Sequence, residues 1–543
     1  MNAERLLAHY EKIADAPDAI ARLRRFVLDL AINGKLVEAD GANWKKSRIT
    51  ECLEALPDGR LIHQGWSPRC ENHPSPNERI WGVLKTTAIQ DGHFLAEQNK
   101  ELPRKLQPKP QLEVQRGDIL ITCAGPRARC GVACLVTETR QKLMISGKMY
   151  RFRANAEVIL PKYLVLFLRS DEAQASINAM KTGSSESGLN LTQDRFSDLQ
   201  VRFGSLSEQQ STVTMVDKLM WLCDRLEAAR QTRETTRDKF AAASLARLNA
   251  PDPETFRDDA RFALDALPAL TARADQIKQL RQTILSLAVR GKLVPQDPND
   301  EPASVLVARF AAKKSKGRKG RDWSQGTGSQ RTPAFDPPLG WCWTTIDETA
   351  QRVTVGYVGP MRDQYVAKGV PFLRSQNVRA NKFREDGLIY ISPAFHQKII
   401  KSVLTPGDVV VVRSGNVGTA CVIPSTIKEA NCSDLVIVQK PECVLPEFLC
   451  FYLNSLAAAH VEEGAVGVAL THFNTKSLAT MPLALPPLAE QRRIVAKVDE
   501  LMTLCERLEA SLATADDTRR RLLEALLAEA LAPADARELE AAE

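Results

Sequence analysis

The sequence predicts an α+β protein that contains two copies of one plan, each with a globular mixed α/β segment and a long helix. Two internal repeats lead to this prediction. Residues 206–228 and 488–510 share fourteen of twenty-three residues, and residues 23–37 and 280–294 share nine of fifteen. A chain of 543 residues is also long enough for several domains with separate hydrophobic cores.

The first repeated element of each copy is predicted to be a short helix. Its apolar residues recur at helical intervals, and Gly34 and Gly291 then follow as typical C-terminal stops. The apolar positions are Ile20, Leu23, Val27 and Leu30 in the first copy, and Ile277, Leu280, Ile284 and Leu287 in the second.

The globular segments are residues 41–205, here called the first head, and residues 335–487, the second head. Both contain short strand-like runs and turn residues. VQRGDILIT at 114–122 parallels LTPGDVVVV at 404–412, and PKYLVLFLRS from Pro161 parallels PEFLCFYLNS from Pro446. The heads differ widely elsewhere. A retained frame with changed loops is expected of two modules that recognise different ligands, and simple drift of duplicated domains is the alternative.

Each head is followed by a predicted long helix. No Gly or Pro occurs between Leu206 and Leu248, which allows a helix of roughly 60 Å at ~1.5 Å per residue. We expect a capping box from Ser207 and Gln210 at its start, and Pro486-Pro487 to introduce the second long helix. Spacings of four and three predict a coiled-coil seam at Ile494, Val498, Leu501, Cys505, Leu508 and Leu512, with Val216, Leu219, Cys223 and Leu226 in the first copy.

The predicted domain boundaries follow from these elements. The parts are an N-terminal helical segment 1–40, the first head 41–205, the first long helix 206–250, a helical segment 251–310, a basic flexible linker 311–334, the second head 335–487 and the second long helix 488–543. Six basic residues between Lys313 and Arg321 nearly account for the net charge of +7. This stretch is interpreted first as linker, with nonspecific DNA contact as the alternative.

Composition argues against several classes of protein. The twelve cysteines include no CxxC pair, which favours a reducing compartment and buried thiols over disulfides. No structural zinc is therefore expected. We interpret the two candidate groups of ligands as core or surface residues; they are Cys123, Cys130 and Cys134, and the pair Cys70 and His73. No signal-like or membrane-length apolar run is apparent, so a cytoplasmic protein without membrane contact is expected.

Three kinds of motif, in the order in which they occur along the chain, resemble the specificity subunits of type I restriction-modification enzymes. They are the LSEQQ and LAEQR blocks, the two LAxxGKLV helix ends and the GDxxxxxxG motif of each head. LGWCW at 339–343 resembles the start of a target recognition domain, and FLRSQNV at 372–378 resembles one of its strands. The resemblance covers nearly the whole chain.

This resemblance implies two target recognition domains held apart by two antiparallel helices, with pseudo-twofold symmetry. Each head would read one half of a bipartite double-stranded DNA target, and the helices would set the gap between the halves. Two DNA methyltransferase subunits and the restriction and translocase subunits would bind this scaffold. S-adenosylmethionine, ATP and magnesium would belong to those partners, and this chain would have no cofactor and no catalytic site.

Candidate DNA-binding residues follow from the resemblance and from side-chain chemistry, because Arg pairs with guanine and Gln or Asn with adenine. For each of them, a solvated or turn-forming side chain is the alternative. The first head departs from the pattern, since WGVLKTT at 81–87 lacks the Asn of the second head. The candidates are Lys85, Thr86, Thr87, Thr122, Arg127, Arg129, Ser184 and Ser185 in the first head, and Arg374, Ser375, Gln376, Asn377, Arg413, Ser414 and Asn416 in the second.

Two other classes of function are considered, an enzyme and a structural adaptor. Asp336-Pro-Pro-Leu339 resembles the DPPY-type motif of adenine methyltransferases, but Leu339 replaces the aromatic residue that stacks on the flipped base. Neither Asn33-Gly-Lys nor Ser146-Gly-Lys completes a nucleotide-binding loop. A structural coiled-coil adaptor whose heads bind proteins is the alternative from a non-DNA class.

Overall fold

The computed structural model describes residues 15–37, 44–183, 185–249, 254–315, 335–361, 363–462 and 474–531. The chain divides into two compact units. The first unit comprises residues 1–233 and 515–543, and the second comprises residues 234–514. The boundary between the units therefore falls within both long helices.

The first copy contains one short helix, the elements of the first head and one long helix. Its strands are β1 (Lys45–Arg48), β2 (Leu53–Glu54), β3 (Ile62–Gln64), β4 (Gly82–Leu84), β5 (Asn99–Glu101), β6 (Ile119–Thr122), β7 (Ala124–Gly125), β8 (Ala133–Leu135), β9 (Leu143–Met144), β10 (Met149–Ala154), β11 (Leu189–Asn190) and β12 (Gln200–Phe203). Its helices are α1 (Ala19–Ile32), α2 (Pro161–Arg169), α3 (Asp171–Met180), α4 (Gln193–Ser197) and α5 (Leu206–Asn249).

The second copy repeats this plan, and three additional helices lie before its head, two of them ahead of the short helix that corresponds to α1. Its strands are β13 (Cys342–Thr345), β14 (Ala350–Val355), β15 (Tyr365–Val366), β16 (Val370–Leu373), β17 (Val378–Arg379), β18 (Lys382–Phe383), β19 (Ile389–Ile391), β20 (Val409–Val411), β21 (Ala420–Val422), β22 (Asn431–Cys432), β23 (Val436–Pro441) and β24 (Pro482–Leu485). Its helices are α6 (Phe256–Asp265), α7 (Leu267–Leu270), α8 (Ala274–Val289), α9 (Ala303–Ser315), α10 (Ile346–Thr349), α11 (Pro393–Lys398), α12 (Pro446–Glu462), α13 (Thr475–Ala479) and α14 (Leu488–Leu531).

The two heads have equivalent sheets. One sheet has the order β2-β10-β6-β8 in the first head and β14-β23-β20-β21 in the second. In the other sheet, β4 pairs antiparallel with β5 and parallel with β9, as β16 pairs with β19 and β22. The first and last strands of each head also pair, β1 with β12 and β13 with β24. This agreement in topology confirms the predicted duplication of mixed α/β heads.

The GD motif of each head forms the same turn. Gly117 and Gly407 have φ angles of 91° and 85°, which side chains with a Cβ rarely adopt. The following Asp118 and Asp408 are buried, and each carboxylate accepts a hydrogen bond from a backbone N–H three residues earlier, at 2.7 and 2.8 Å. Glycine and aspartate thus close the turn that leads into β6 and β20.

A glutamate–glutamine pair joins each long helix to its own head. Gln209 is fully buried, and its amide group accepts from Leu160 N (2.8 Å) and donates to the carbonyl oxygens of Val158 (3.1 Å) and Gly204 (3.0 Å). The side-chain amide of Gln491 makes the equivalent three bonds in the second head.

The preceding glutamates, Glu208 and Glu490, accept hydrogen bonds from the indoles of Trp44 (3.2 Å) and Trp341 (3.0 Å). The EQ dipeptide of both repeated blocks therefore has a structural role at the joint between head and helix.

In the first unit, α1 packs against segments of both long helices. Arg24 pairs with Asp224 at 2.6 Å and Arg233 pairs with Asp15, so α1 and α5 run in opposite directions. Arg22 pairs with Glu524, and Lys35 Nζ donates to Leu531 O, so α1 and the end of α14 run in the same direction. The segments of α5 and α14 in this unit are therefore antiparallel, as expected.

The second unit repeats this arrangement with α8. Arg273 pairs with Asp238 at 2.6 Å, and Asn249 Nδ2 donates to Thr283 Oγ1, so α8 and the end of α5 run in the same direction. Arg281 pairs with Glu509 at 2.9 Å, a pair that is equivalent by sequence to Arg24 and Glu227 in the first unit. The predicted seam residues of α14 lie in the hydrophobic cluster formed with α8 and the second head.

Two local predictions concern the ends of the helices. Gly34 and Gly291 have φ angles of 68° and 67° just after α1 and α8, which confirms them as stops. The expected capping box at Ser207 and Gln210 is wrong, because Ser205 and Glu208 form it. Glu208 Oε2 accepts from Ser205 N at 2.7 Å, and Glu208 N donates to Ser205 Oγ at 3.3 Å. The start of the helix at Leu206 makes Ser205 the residue that can cap it.

The basic stretch begins within a helix, in contrast to the expected linker from residue 311. Helix α9 continues to Ser315. Lys313 pairs with Glu442 at 2.7 Å, and Lys314 donates to the carbonyl oxygens of Asp347 and Ala350 at 2.6 and 2.9 Å. These two lysines therefore stabilise the second head, and residues 316–334 lie outside the described residues.

The clustered cysteines of the first head lie in apolar surroundings. Cys123 and Cys130 belong to one hydrophobic cluster and Cys134 to another. Burial raises the pKa of the Cys123 and Cys134 thiols to about 12. Among the described residues, no group of His, Cys, Asp and Glu has the arrangement of a metal site, and no helix is long and apolar enough to cross a bilayer.

Candidate nucleic-acid interface

Most candidate residues of each head lie on two connections, and Ser185 of the first head lies on a third, between α3 and β11. One is the 3-10 turn that follows the central strand of the second sheet, at Thr86–Ala88 after β4 and at Ser375–Asn377 after β16. The other is the loop after the GD strand, between β6 and β8 or between β20 and β21.

In the second head, the turn after β16 has one buried residue and two exposed residues. Asn377 is fully buried; its Oδ1 accepts from Arg374 N at 3.0 Å, and its amide donates to Arg384 O at 3.0 Å. Asn377 therefore closes the turn and cannot reach a base edge in this conformation, which corrects its place among the DNA contacts. Ser375 and Gln376 are exposed. The side chains of Arg374 and Gln376 both donate to Gly387 O, at 3.2 and 3.1 Å.

The loop after β20 presents its polar residues to solvent. Ser414, Gly415 and Asn416 are exposed, and Arg413 is half-buried. Gly415 has a φ angle of 84°, and no atom lies within contact distance of a Cβ built on it. This loop is therefore an open surface from which short polar side chains can reach a ligand.

In the first head, Thr122 and Arg129 serve the fold. Thr122 is fully buried; its hydroxyl donates to Arg129 O and accepts from Val132 N at 3.0 Å. The Arg129 guanidinium donates to the carbonyl oxygens of Thr86 and Ile89, the latter at 2.7 Å. Arg129 thus ties the loop after β6 to the turn after β4. Both residues are removed from the candidate DNA contacts because their polar atoms bind this chain.

Arg127 lies at the exposed end of the same loop and forms an ion pair that the sequence analysis missed. Its guanidinium donates to both oxygens of Glu186, at 2.7 and 2.9 Å. The side chains are 52% and 73% exposed. The hydrogen bonds from Arg127 hold the pKa of Glu186 below its usual value. The pairing of β7 with β11 brings the loops that contain Arg127 and Glu186 together. The two residues are 59 positions apart in the sequence, so no local motif indicates their contact.

The remaining first-head candidates are exposed or half-buried. Lys85 and Thr86 are half-buried, and Thr87 is exposed with its hydroxyl donating to Gln98 Oε1 at 3.0 Å. Ser185 is exposed, and its hydroxyl lies 3.2 Å from that of Ser187. Ser184 lies outside the described residues.

Comparison with known proteins gives one consistent family. The family model described as "Type I restriction modification DNA specificity domain" matches residues 363–514. The type I restriction enzyme EcoEI specificity subunit of Escherichia coli is 33% identical over 45% of this chain and 49% of its own length. The EcoAI specificity subunit of Escherichia coli is 28% identical over 93% of each chain. This chain therefore spans about half of the first relative and nearly all of the second.

A solved structure shares the fold. A chain described under "Structural basis underlying complex assembly and conformational transition of the type I R-M system" superposes with a TM-score of 0.52. It is 20% identical, and the match covers 90% of this chain and 97% of that chain. These comparisons give no support to a structural adaptor of another family. The chain is therefore similar to type I restriction-modification specificity subunits, over residues 363–514 by the family model and over 93% of its length by the EcoAI relative.

Proposed function

We propose that this chain is the DNA-recognition subunit of a type I restriction-modification complex, and that each head reads one half of a bipartite double-stranded DNA target. One observation supports this most directly. The heads share their sheets, their GD turns and their joints to the long helices, while the exposed polar residues on the connections differ. A shared framework whose exposed connections carry different polar residues is expected of two recognition modules with different target sequences.

The proposed contacts are the exposed or half-buried candidates. Base edges would be read by Arg127 in the first head and by Gln376 and Asn416 in the second, because these side chains offer the donors and acceptors that the major groove requires. An ion pair between two exposed side chains is screened by solvent and contributes little, so Arg127 can exchange Glu186 for a base at little cost. The other proposed contacts are Lys85, Thr86, Thr87, Ser185, Arg374, Ser375, Arg413 and Ser414.

The proposed complex includes two DNA methyltransferase subunits and restriction and translocase subunits, and it acts in the cytoplasm. This chain supplies recognition and a scaffold, without a catalytic site of its own. S-adenosylmethionine, ATP and magnesium are proposed to bind to the partner subunits.

The test is to co-express this chain with the methyltransferase subunit from the same genome in a host without DNA methylation, and to map N6-methyladenine. A split motif with a fixed gap, lost when this chain is omitted, is the expected result. A stable complex that leaves the DNA unmethylated would contradict the proposal.

Individual contacts can be tested in the same assay. Arg127→Ala should relax the base preference at a position in one half of the motif, and Asn416→Ala should do so in the other half. Arg48→Ala removes an exposed arginine from β1 and should leave the motif unchanged. Relaxation of the same half by both variants would contradict the assignment of one head to each half.

A further inference from the structure

Both heads carry a short hairpin directly after the 3-10 turn, here called the tip hairpin. It comprises residues 89–94 in the first head and residues 378–383 in the second. Ile89 pairs with Phe94 in the first, and Val378 pairs with Phe383 in the second. Neither the family motifs nor the sequence patterns predicted this element.

The tip hairpin is fixed to the main sheet in the same way in both heads. Its fourth residue is Gly92 or Asn381, with φ angles of 81° and 59°. The N–H of this residue donates to the carbonyl of the first residue of β8 or β21, at 3.1 and 3.0 Å. The hairpin therefore has one defined position beside the β6–β8 pair in the first head and beside the β20–β21 pair in the second.

In each head, one residue of the helix that follows the main sheet binds the tip hairpin, and this residue has the same position in both helices. This residue is Arg169 in α2 and Asn454 in α12, which align in the PKYLVLFLRS and PEFLCFYLNS segments. Arg169 binds the Asp91 carboxylate with two hydrogen bonds, at 2.7 and 3.1 Å. The buried Asn454 donates to Asn381 Oδ1 at 2.6 Å. The position of this helix residue is the same in both heads, but the contact is an arginine–carboxylate pair in the first and an amide–amide hydrogen bond in the second.

The charge of the tip hairpin also differs. Its sequence is IQDGHF in the first head, with one acid that Arg169 neutralises, and VRANKF in the second, with two cations and no acid. Arg379 and Lys382 are directly opposite each other in the strand register, and both are exposed. Within the described part of the chain, neither side chain forms an ion pair; the Arg379 guanidinium donates to Val378 O at 3.0 Å.

The second tip hairpin lies between the two candidate connections of its head. Two hydrogen bonds join Asn377 and Arg384, the residues that flank the hairpin. The Asn377 side-chain amide donates to Arg384 O, and Arg384 N donates to Asn377 O at 2.9 Å. Its tip contacts Ala420, which follows the loop containing Ser414 and Asn416. A ligand on either connection would therefore be near the two cations.

We propose that the tip hairpin of the second head binds the DNA phosphate backbone through Arg379 and Lys382, and that the first tip hairpin lacks this contact. This inference rests on the proposed function. Two exposed cations that lie opposite each other and form no ion pair within the described residues can approach adjacent backbone oxygens, and phosphate contacts fix the register of a protein on the duplex. The two half-sites are then bound with unequal electrostatic contributions.

The test uses the full chain assembled with its methyltransferase subunits and a duplex that carries the mapped motif. The affinity is measured between 50 and 200 mM salt. Each phosphate contact contributes about 0.9 to the slope of log K against log salt, so Arg379→Gln with Lys382→Gln should lower the slope by about 1.8. The matched control is Gln90→Ala with His93→Ala in the first tip hairpin, and it should leave the slope unchanged.

A charge-retaining variant separates phosphate binding from base recognition. Arg379→Lys with Lys382→Arg should keep both the slope and the methylated motif, because counterion release depends on the number of cations at the phosphates. A changed motif, or an unchanged slope in the neutral variant, would overturn the inference while leaving the proposed function intact. A wild-type complex without salt-dependent affinity for the duplex would contradict both. Thermal unfolding of each variant verifies that the head is folded.

Discussion

At the scale of single residues, the most informative positions are polar and buried. Gln209 and Gln491 have every polar atom of their amide groups paired with backbone groups of their own head. A fully satisfied buried network fixes one geometry, because any shift leaves a donor or acceptor unpaired. These residues explain why both repeated blocks keep the EQ dipeptide.

Gln209→Leu should lower the free energy of unfolding by about 3 kcal/mol. The substitution leaves Leu160 N–H and the carbonyl oxygens of Val158 and Gly204 without their partners, and a buried unpaired group costs about 1–3 kcal/mol. Urea unfolding of the full chain measures the effect. Gln210→Leu, at the exposed neighbouring position, is the control, and equal losses in both variants would contradict the role of Gln209.

Asp29 should make the stability of the first unit depend on pH. Burial raises its pKa to about 6, although its carboxylate accepts a hydrogen bond from Asp171 N at 3.1 Å. The folded state therefore binds a proton more tightly than the unfolded chain, in which the pKa of an aspartate is about 4. Its stabilising contribution is complete below about pH 4 and is lost as the pH rises through about 6.

Asp29→Asn keeps an acceptor for Asp171 N and removes the ionisable group. The melting temperature of this variant should exceed that of the wild type at pH 8, and the difference should shrink steadily towards pH 4. Circular dichroism melts at several pH values test this. A difference that is constant across the range would rule out titration of Asp29 as its cause.

At the scale of elements, helix periodicity was a reliable guide and the termini of the elements were less so. The apolar spacing predicted α1, α5, α8 and α14 because a buried helical face requires it. The capping box was misplaced by two residues, since Ser205 and Ser207 are chemically equal in sequence. The tip hairpins were missed because two-residue strands carry almost no periodic signal.

The candidate site was predicted less well than the fold. Thr122 and Asn377 have the right side-chain chemistry for DNA, but their burial depends on the packing of distant strands. Glu186 was missed because its contact with Arg127 is made by loops far apart in sequence. Residue type therefore indicates what a side chain can bind, and only the fold determines whether solvent or a ligand can reach it.

Leu523→Ala should destabilise the first unit by about 3 kcal/mol. Leu523 is fully buried near the end of α14, in a small cluster with Ala16 and with Ala19, the first residue of α1. Removing a fully buried leucine side chain leaves a cavity and typically costs about 2–5 kcal/mol. Leu527→Ala, which removes the same atoms from a half-buried position, should cost clearly less in chemical denaturation. Equal losses would contradict the packing of α14 in this unit.

At the scale of the whole molecule, the duplication separates two tasks. The repeated residues form the joints: the GD turns, the EQ pairs and the ion pairs of α1 with α5 and of α8 with α14. The residues that differ lie on the connections and tip hairpins. A head can therefore change its exposed residues without disturbing the helices to which it is joined.

This separation predicts that the heads are exchangeable. Replacing residues 45–203 with the corresponding head of the EcoAI specificity subunit keeps Trp44, Glu208 and Gln209 at the joint. Mapping of N6-methyladenine should then show one half of the motif changed, with the other half and the gap retained. The reciprocal exchange of residues 342–485 should change only the opposite half. If a folded chimera altered both halves, recognition would have to depend on both heads together, and the assignment of one half-site to each head would fail.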